Sequence, residues 1–359
     1  MQRALVLARE GEGFTSPNPC VGALIVDDGK IVAEGWHVRA GGDHAEIVAM
    51  NGVGSSEGLD LYVTLEPCAH EGKTPSCATA IVSAGFRSVK VGMLDPFPKV
   101  NGKGVEILRE AGVTVEILES EEDLTRDIAL LNQPFLKKIK TGLPYVTLKA
   151  GISLDGKITT SKGDSQWITS GEARDFGRLE RSRCDAVLVG AGTVEADDCE
   201  LAPHGVWANK KLIRIVLGRE ANLSLDAKVF RDSNVIYACA DFGSEENQKK
   251  YFDAGIELFP FSDVKGLLLA LVERDVASVF VEGGSAVNGL FYDAFLSDLN
   301  IIDRALFFIA PKIIGGSEAL SVIGGNGVSE LSQAKNFLNW SSSKIGEDLL
   351  FTGLFNLYR

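Results

Sequence analysis

The chain has 359 residues, 45% of them hydrophobic and 24% charged, with a formal net charge of −13. That length suits two domains better than one core, and no run of ~18 apolar residues marks a membrane span. An acidic balance with no basic stripe argues against a nucleic-acid partner, while local Arg and Lys clusters leave anionic small substrates open.

From the start, "MQRALVLAREGEG" is too short and too charged for a secretory signal and reads as a helix ended by Gly11 and Gly13. With no export signal, the thinly spread cysteines Cys20, Cys68, Cys77, Cys184, Cys199 and Cys239 point to a reducing cytoplasm and to metal binding before disulfides. "VGALIVDDGKIVAEG" reads as a hairpin turning at Asp28-Gly29. "HAEIVAMNG" is a short helix, "LDLYVTLE" a buried strand, and "TPSCATAIVSAG" a helix entered through Pro75 and closed by Gly85. "SVKVGML", "GKGVEILREAG" and "VTVEIL" follow as strand, helix and strand, which makes a helix–strand sandwich of ~120 residues. "EEDLTRDIALLNQPFLKKIKTG" reads as one helix leading out, so residues 1–142 form a first domain and 143–359 a second. The second opens with "PYVTLKAGISLDGKI". It continues through the apolar runs "DAVLVGA", "KLIRIVLG", "NVIYACA" and "SVFVEGG", separated by helices. Such runs predict a mainly parallel sheet.

Three residues in the first half carry chemistry: His44 at a helix start, Cys68 after a strand, and Cys77 one turn into the next helix. Helix N-termini favour thiolates. One His and two Cys make a three-ligand zinc site with its fourth tetrahedral position open to water. Glu46, two residues after His44, can then move the water's proton without binding metal. His-x-Glu followed by Pro-Cys is the element set of zinc deaminases. A closed structural site would need a fourth ligand, for which His70 is the nearby candidate; His37 is expected to line the pocket or cap a turn. In the second half, Gly283-Gly284 before a helix at Ser285 suits a phosphate. The missing G-x-G-x-x-G fingerprint argues against a standard Rossmann domain. Arg178, Arg181 and Arg183 crowd one helix but spread over more than one face.

"SPNPCVGALIV", "HAEIVAM", "YVTLEPCAHEGKTPSC" and "DPFPKVNGKG" are similar to the deaminase domain of bacterial bifunctional riboflavin-biosynthesis deaminase/reductases. The eight residues between Cys68 and Cys77 differ from the C-x-x-C of cytidine and tRNA adenosine deaminases and favour a nucleotide substrate over nucleic-acid editing. The resemblance implies a cytidine-deaminase-like α/β/α domain with Zn2+ on His44, Cys68 and Cys77 and Glu46 as the catalytic proton carrier. The implied substrate is 2,5-diamino-6-ribosylamino-4(3H)-pyrimidinone 5′-phosphate, met by Asn18 on the pyrimidine edge and by Lys73 and Thr74 on the phosphate.

"LKAGISLDGKI", "GDSQWITS", "VGAGTVEADD", "VEGGSAVNG" and "APKIIGG" resemble the family's reductase domain, which implies a dihydrofolate-reductase-like α/β fold, NADPH, and reduction of the ribosyl side chain to ribityl. Carried over by motif, Lys149 is catalytic, and Ser165, Arg181, Leu201, His204 and Glu282 bind substrate. Gly151, Trp167, Thr193, Asp197 and the run Gly284, Ser285, Ala286, Val287, Asn288, Gly289 and Leu290 bind the cofactor. A homo-oligomer is implied as well. The chain departs from the family at Cys199, where proline is usual, at His204, where a phosphate-binding arginine is expected, and at Arg304, where an acidic residue is usual. These departures keep a second reading in view, an active deaminase with a degenerate reductase.

Overall fold

The computed structural model describes residues 1–69, 76–119 and 123–359. The chain forms two units, Met1–Lys140 with Tyr358–Arg359, and Thr141–Leu357.

The first unit runs α1 (Gln2–Arg9), β1 (Gly22–Asp27), β2 (Lys30–Trp36), α2 (Ala45–Met50), β3 (Asp60–Val63), α3 (Cys77–Ser83), β4 (Ser88–Val91), α4 (Lys103–Glu110), β5 (Thr114–Ile117), α5 (Asp123–Leu131) and α6 (Gln133–Thr141). Its sheet has the order β2-β1-β3-β4-β5, with β1 antiparallel to both neighbours and β3, β4 and β5 parallel. The hairpin forms as expected. Asp28 (φ 40°) and Gly29 (φ 78°) both take left-handed geometry, which matches the twist of the flanking strands. Ile25, Leu61, Val63, Val89 and Val91 meet Ala49 of α2, Ile81 of α3 and Leu108 of α4 in one core. Burying each of the larger aliphatic side chains contributes ~1.5–3 kcal/mol. Helix α2 lies directly on β2 at Gly35, where a Cβ would come within 2.4 Å of the Ala45 oxygen and the Ala49 nitrogen.

Two expectations are corrected here. The helix leading out is two helices, broken at Asn132. Pro134 has no N–H to continue the ladder and its ring crowds the preceding turn. Asn132 turns its amide to the backbone of Cys20 instead, accepting its N–H at 2.7 Å and donating to its carbonyl at 3.1 Å. Cys77 is the first residue of helix α3 rather than one turn into it, because the extended Ser76 caps the helix by accepting the Thr79 N–H at 3.2 Å; the expected entry at Pro75 lies outside the described residues.

The second unit contains β6 (Tyr145–Ser153), α7 (Gly171–Arg183), β7 (Ala186–Gly190), α8 (Ala191–Asp197), β8 (Ile213–Leu217), β9 (Val235–Cys239), α9 (Glu245–Asp253), β10 (Glu257–Pro260), α10 (Val264–Val272), β11 (Ser278–Val281), α11 (Ser285–Ser297), β12 (Arg304–Ala310), β13 (Asn339–Ile345) and β14 (Asp348–Leu354). The sheet order is β10-β9-β8-β7-β11-β6-β12-β14-β13. It is parallel from β10 to β12, with β14 and β13 added antiparallel. Alternate residues of the central strands enter different cores. Leu188, Ile215, Ile236 and Val279 pack with α10 and α11, while Val189, Val216, Tyr237 and Cys239 pack on the other face. A sheet covered on both sides needs the unbroken apolar runs seen in the sequence. Among the described residues, no helix is long and apolar enough to cross a membrane.

Candidate metal centre and a second polar site

His44 is the N-cap of α2, and Cys77 is the first residue of α3. Cys68 sits in the loop after β3, held by the Ala78 N–H on its carbonyl at 3.1 Å and the Cys77 N–H on its sulfur at 3.2 Å. The His44 Nδ1 lies 3.2 Å from the Cys77 sulfur and 3.6 Å from the Cys68 sulfur. The three ligand atoms fall within 4.8 Å of one another. A tetrahedral zinc with Zn–N of ~2.0 Å and Zn–S of ~2.3 Å would set N···S edges of ~3.5 Å, so the donor set fits zinc. The Cys77 thiol hydrogen bond pulls the Cys68 pKa down, and the same bond together with burial pushes Cys77 up. Among the described residues the cluster has these three ligands. His70 lies outside them, as do Lys73 and Thr74.

Glu46 stands in the first turn of α2, 3% exposed. Burial raises its carboxyl to about 6. It lines a cavity of ≈ 310 Å³ together with Asn18, His37, His44 and Cys68, walled by Phe97, Phe135 and Lys138. The His37 Nδ1 lies 2.9 Å from the Asp43 carbonyl oxygen, so it carries the proton and leaves Nε2 as an acceptor. Nε2 is 3.2 Å from the Asn18 amide nitrogen, and that donation frees the Asn18 oxygen to meet a ligand N–H. Residue-type reasoning placed His37 at a pocket wall or turn; the structure gives it both, with a hydrogen bond to Asn18 added. It missed Glu66 altogether, a buried carboxylate that accepts four backbone N–H groups beside the cavity. The signal available was an acid at the end of an apolar strand, next to Pro67-Cys68.

In the second unit, β6, α7 and the end of β11 bring together Lys149, Arg181 and Glu282. Glu282 lies 3.7 Å from the Lys149 ammonium and 3.3 Å from the Arg181 guanidinium. Burial opposes its charge, but the two cations outweigh burial and hold its carboxyl below the ordinary value. Arg181 also donates to the Ala202 carbonyl at 3.0 Å. His204 is tied to α7 by its backbone N–H on the Ser182 hydroxyl at 2.7 Å. Burial first, then Arg181 and Arg178, lower its pKa. On α7, Arg181 is buried, whereas Arg178 and Arg183 are 39% exposed and paired with Asp175 and Glu180. Arg304 also pairs with Glu180, at 2.8 Å.

The residues expected to bind the cofactor divide. Gly284 and Thr193 face each other at the N-terminal ends of α11 and α8, after the neighbouring parallel strands β11 and β7. The Thr193 hydroxyl is 3.8 Å from where a Gly284 Cβ would stand. This crevice beyond the carboxyl ends of parallel strands, with a helix N-terminus in it, fits a dinucleotide phosphate. Ser285 is half-buried and Ala286 exposed in the first turn of α11. Val287 packs into the core, the buried Asn288 donates to the Val322 carbonyl at 2.9 Å, and Gly289 lies against the Gly324-Gly325 backbone. Leu290 is 38% exposed. Trp167 is 59% exposed under the Arg174 guanidinium, and the neighbouring Gln166 donates to the Asp197 carboxylate at 2.7 Å. Gly151 lies on β6 against Thr169, and Ser165 is half-buried before α7. The Leu201 side chain is buried in the core, which leaves its backbone as the part able to meet a ligand.

Residues 144–351 match the RibD C-terminal domain, and residues 1–93 match the cytidine and deoxycytidylate deaminase zinc-binding region. The chain is 40% identical to the riboflavin biosynthesis protein RibD of Bacillus amyloliquefaciens, covering 99% of this chain and 95% of that one. It is 39% identical to the RibD of Aquifex aeolicus, covering 98% and 96%. Among solved structures, Acinetobacter baumannii RibD superposes with a TM-score of 0.86 at 36% identity over 98% of this chain and 97% of that one. A diaminohydroxyphosphoribosylaminopyrimidine deaminase/5-amino-6-(5-phosphoribosylamino)uracil reductase of Thermotoga maritima gives 0.85 at 35% identity, over 99% and 97%.

Proposed function

Because the chain belongs to the RibD family of bifunctional riboflavin-biosynthesis enzymes, we propose a specific substrate for each of its two activities. The first unit deaminates 2,5-diamino-6-ribosylamino-4(3H)-pyrimidinone 5′-phosphate, and the second reduces the product's ribosyl chain to ribityl with NADPH. The chain is a zinc-dependent deaminase fused to a reductase. The observation that carries the deaminase reading is a three-ligand donor set with a buried carboxylate, Glu46, beside it at one cavity.

Bound by His44, Cys68 and Cys77, zinc supplies activation of a water near neutral pH. Glu46 takes the proton of that water and returns it to the departing amine. The burial of Glu46 in the first turn of α2, at the cavity shared with His44 and Cys68, suits it to both transfers. Overall, water's oxygen bonds to C2, the C2–N bond breaks, and ammonia leaves. Asn18, with its oxygen freed by His37, orients the pyrimidine edge. Lys73 and Thr74 are proposed for the phosphate.

In the second unit, Arg181 and His204 are proposed to hold the substrate phosphate, and Glu282 a ribose hydroxyl. Lys149, steadied by Glu282, is proposed to act at the reacting carbon. NADPH would supply the hydride, held by Gly284, Ser285 and Thr193 at its phosphates and by Gly151 and Trp167 along the rest of its pocket. Asp197 steadies the loop of Trp167 through Gln166. The same reading places the enzyme in the cytoplasm.

The test is to incubate zinc-loaded protein with the diamino substrate and NADPH, and to measure ammonia and NADP+ together. Equal amounts are expected. Ammonia without NADP+ would favour the degenerate-reductase reading, and no ammonia would overturn the deaminase.

A further inference from the structure

Both oxygens of Glu66 are taken by backbone donors from one later segment. Oε2 accepts the N–H of Asp95 at 3.2 Å and of Gly102 at 2.9 Å, and Oε1 accepts Gly104 at 2.9 Å and Val105 at 3.3 Å. The donors lie in the stretch between β4 and the first turn of α4, where a helix N-terminus adds to the attraction. Glu66 is itself held by its N–H on the Met93 carbonyl at 3.0 Å and is 4% exposed. The loop lies directly on this segment: a Cβ at Gly104 would stand 2.0 Å from the Pro67 oxygen and 3.2 Å from Glu66 Oε1. Two residues beyond Glu66 is the ligand Cys68. The same loop supplies Asp95, Phe97 and Val100 to the wall of the deaminase cavity.

We infer that Glu66 is a positioning residue for deamination, a clamp that holds the cavity wall formed by residues 95–104 against the segment carrying Cys68. The inference rests on the deaminase reading of that cavity. A carboxylate removed from water needs such donors, and charge-assisted bonds of this kind are the stronger class. Glutamine has one acceptor oxygen and one NH2 group. It can serve one pair of N–H donors and turns its own donors on the other pair. The wall then loosens, while His44, Glu46 and Cys77 remain in place on α2 and α3. Substrate binding therefore suffers more than the chemical step.

The experiment uses full-length, zinc-loaded protein, the diamino substrate and steady-state ammonia release. Glu66→Gln should raise KM ~10-fold or more with kcat within ~3-fold, at unchanged zinc content. NADPH oxidation with the deaminated intermediate should stay at the wild-type rate. Gly104→Ala pushes the same loop off its seat while leaving Glu66 intact, and it should give the same split between KM and kcat. In the double variant the KM effects should fail to add. A KM unchanged in both variants overturns the inference, as does loss of zinc and kcat in Glu66→Gln with KM unchanged, which would make the carboxylate a support for Cys68 alone. If Glu66→Gln does not fold, Gly104→Ala decides. If wild-type protein releases no ammonia, the deaminase reading itself falls, an outcome distinct from an active wild type with insensitive variants.

Discussion

The first unit brings together a cluster proposed to hold metal, His44, Cys68 and Cys77, and a carboxylate proposed to carry protons, Glu46, and single substitutions should separate the two roles. Cys77→Ser should lose most of the zinc, because a hydroxyl is a poor replacement for a thiolate at a three-ligand site; metal analysis showing full zinc content would remove Cys77 from the ligand set. Glu46→Gln should keep the zinc and the fold and lose deamination by ~10²–10⁴, the worth of general acid–base help. Metal content and ammonia release measured on the same sample check this. In the second unit the informative residue is His204. Its pKa is lowered by burial and by Arg181 and Arg178, so at neutral pH the imidazole is uncharged where the family expects a cation. His204→Arg should lower the reductase KM for the phosphorylated substrate and leave kcat nearly unchanged, since a phosphate contact acts alike on ground and transition states. The gain should be largest above neutrality. A KM unmoved at pH 8 would place residue 204 away from the phosphate.

Helix α2 carries both His44 and Glu46, and its seat on β2 depends on the bare backbone of Gly35. Gly35→Ala should push α2 outward at a cost of ~1–3 kcal/mol. Thermal unfolding should show the loss, and zinc content should fall with it. At the other end of β6, the Asp155 carboxylate accepts the Ser153 hydroxyl and the N–H groups of Ile314 and Gly315, which lowers its pKa to about 2. A depressed carboxyl stabilises fully above its unfolded pKa of ~3.9. That contribution is lost as pH falls through about 2. Amide signals of Ile314 and Gly315 should therefore titrate with a midpoint near the Asp155 pKa of about 2, and Asp155→Asn should show no such titration. How much of this was legible in the sequence follows from distance along the chain. The hairpin at Asp28-Gly29 and the helix start at His44 are local, and nearby residue types suffice to find them. The apolar periodicity runs straight through Asn132, so the break before Pro134 was lost; the amide that stabilises it reaches back to Cys20. Glu66 is visible locally only as an acid at the end of an apolar strand; its partners, N–H groups as far on as Val105, leave no mark near it in the sequence.

For the whole molecule, sequence motifs were enough to identify the family, because matches span both halves of the chain. They could not show which residues of a matched motif face a ligand. In "VEGGSAVNG" the helix start lies open at Gly284, while Val287, Asn288 and Gly289 pack inward. Each activity draws its proposed residues from one unit: His44, Glu46, Cys68 and Cys77 from the first, and Lys149, Arg181, Glu282 and Gly284 from the second. The two reactions should therefore be separable on one polypeptide. Given the already deaminated intermediate, Glu46→Gln should oxidise NADPH at the wild-type rate, and zinc removal by a chelator should abolish ammonia release while leaving that oxidation intact. The altered residues point the same way. Arg304 is satisfied by Glu180, and the cluster of Lys149, Arg181 and Glu282 is complete. If Glu46→Gln oxidises no NADPH while wild type does, the two-site reading is wrong. If neither does, the second unit is a degenerate reductase, and the departures at Cys199 and His204 become the first places to restore.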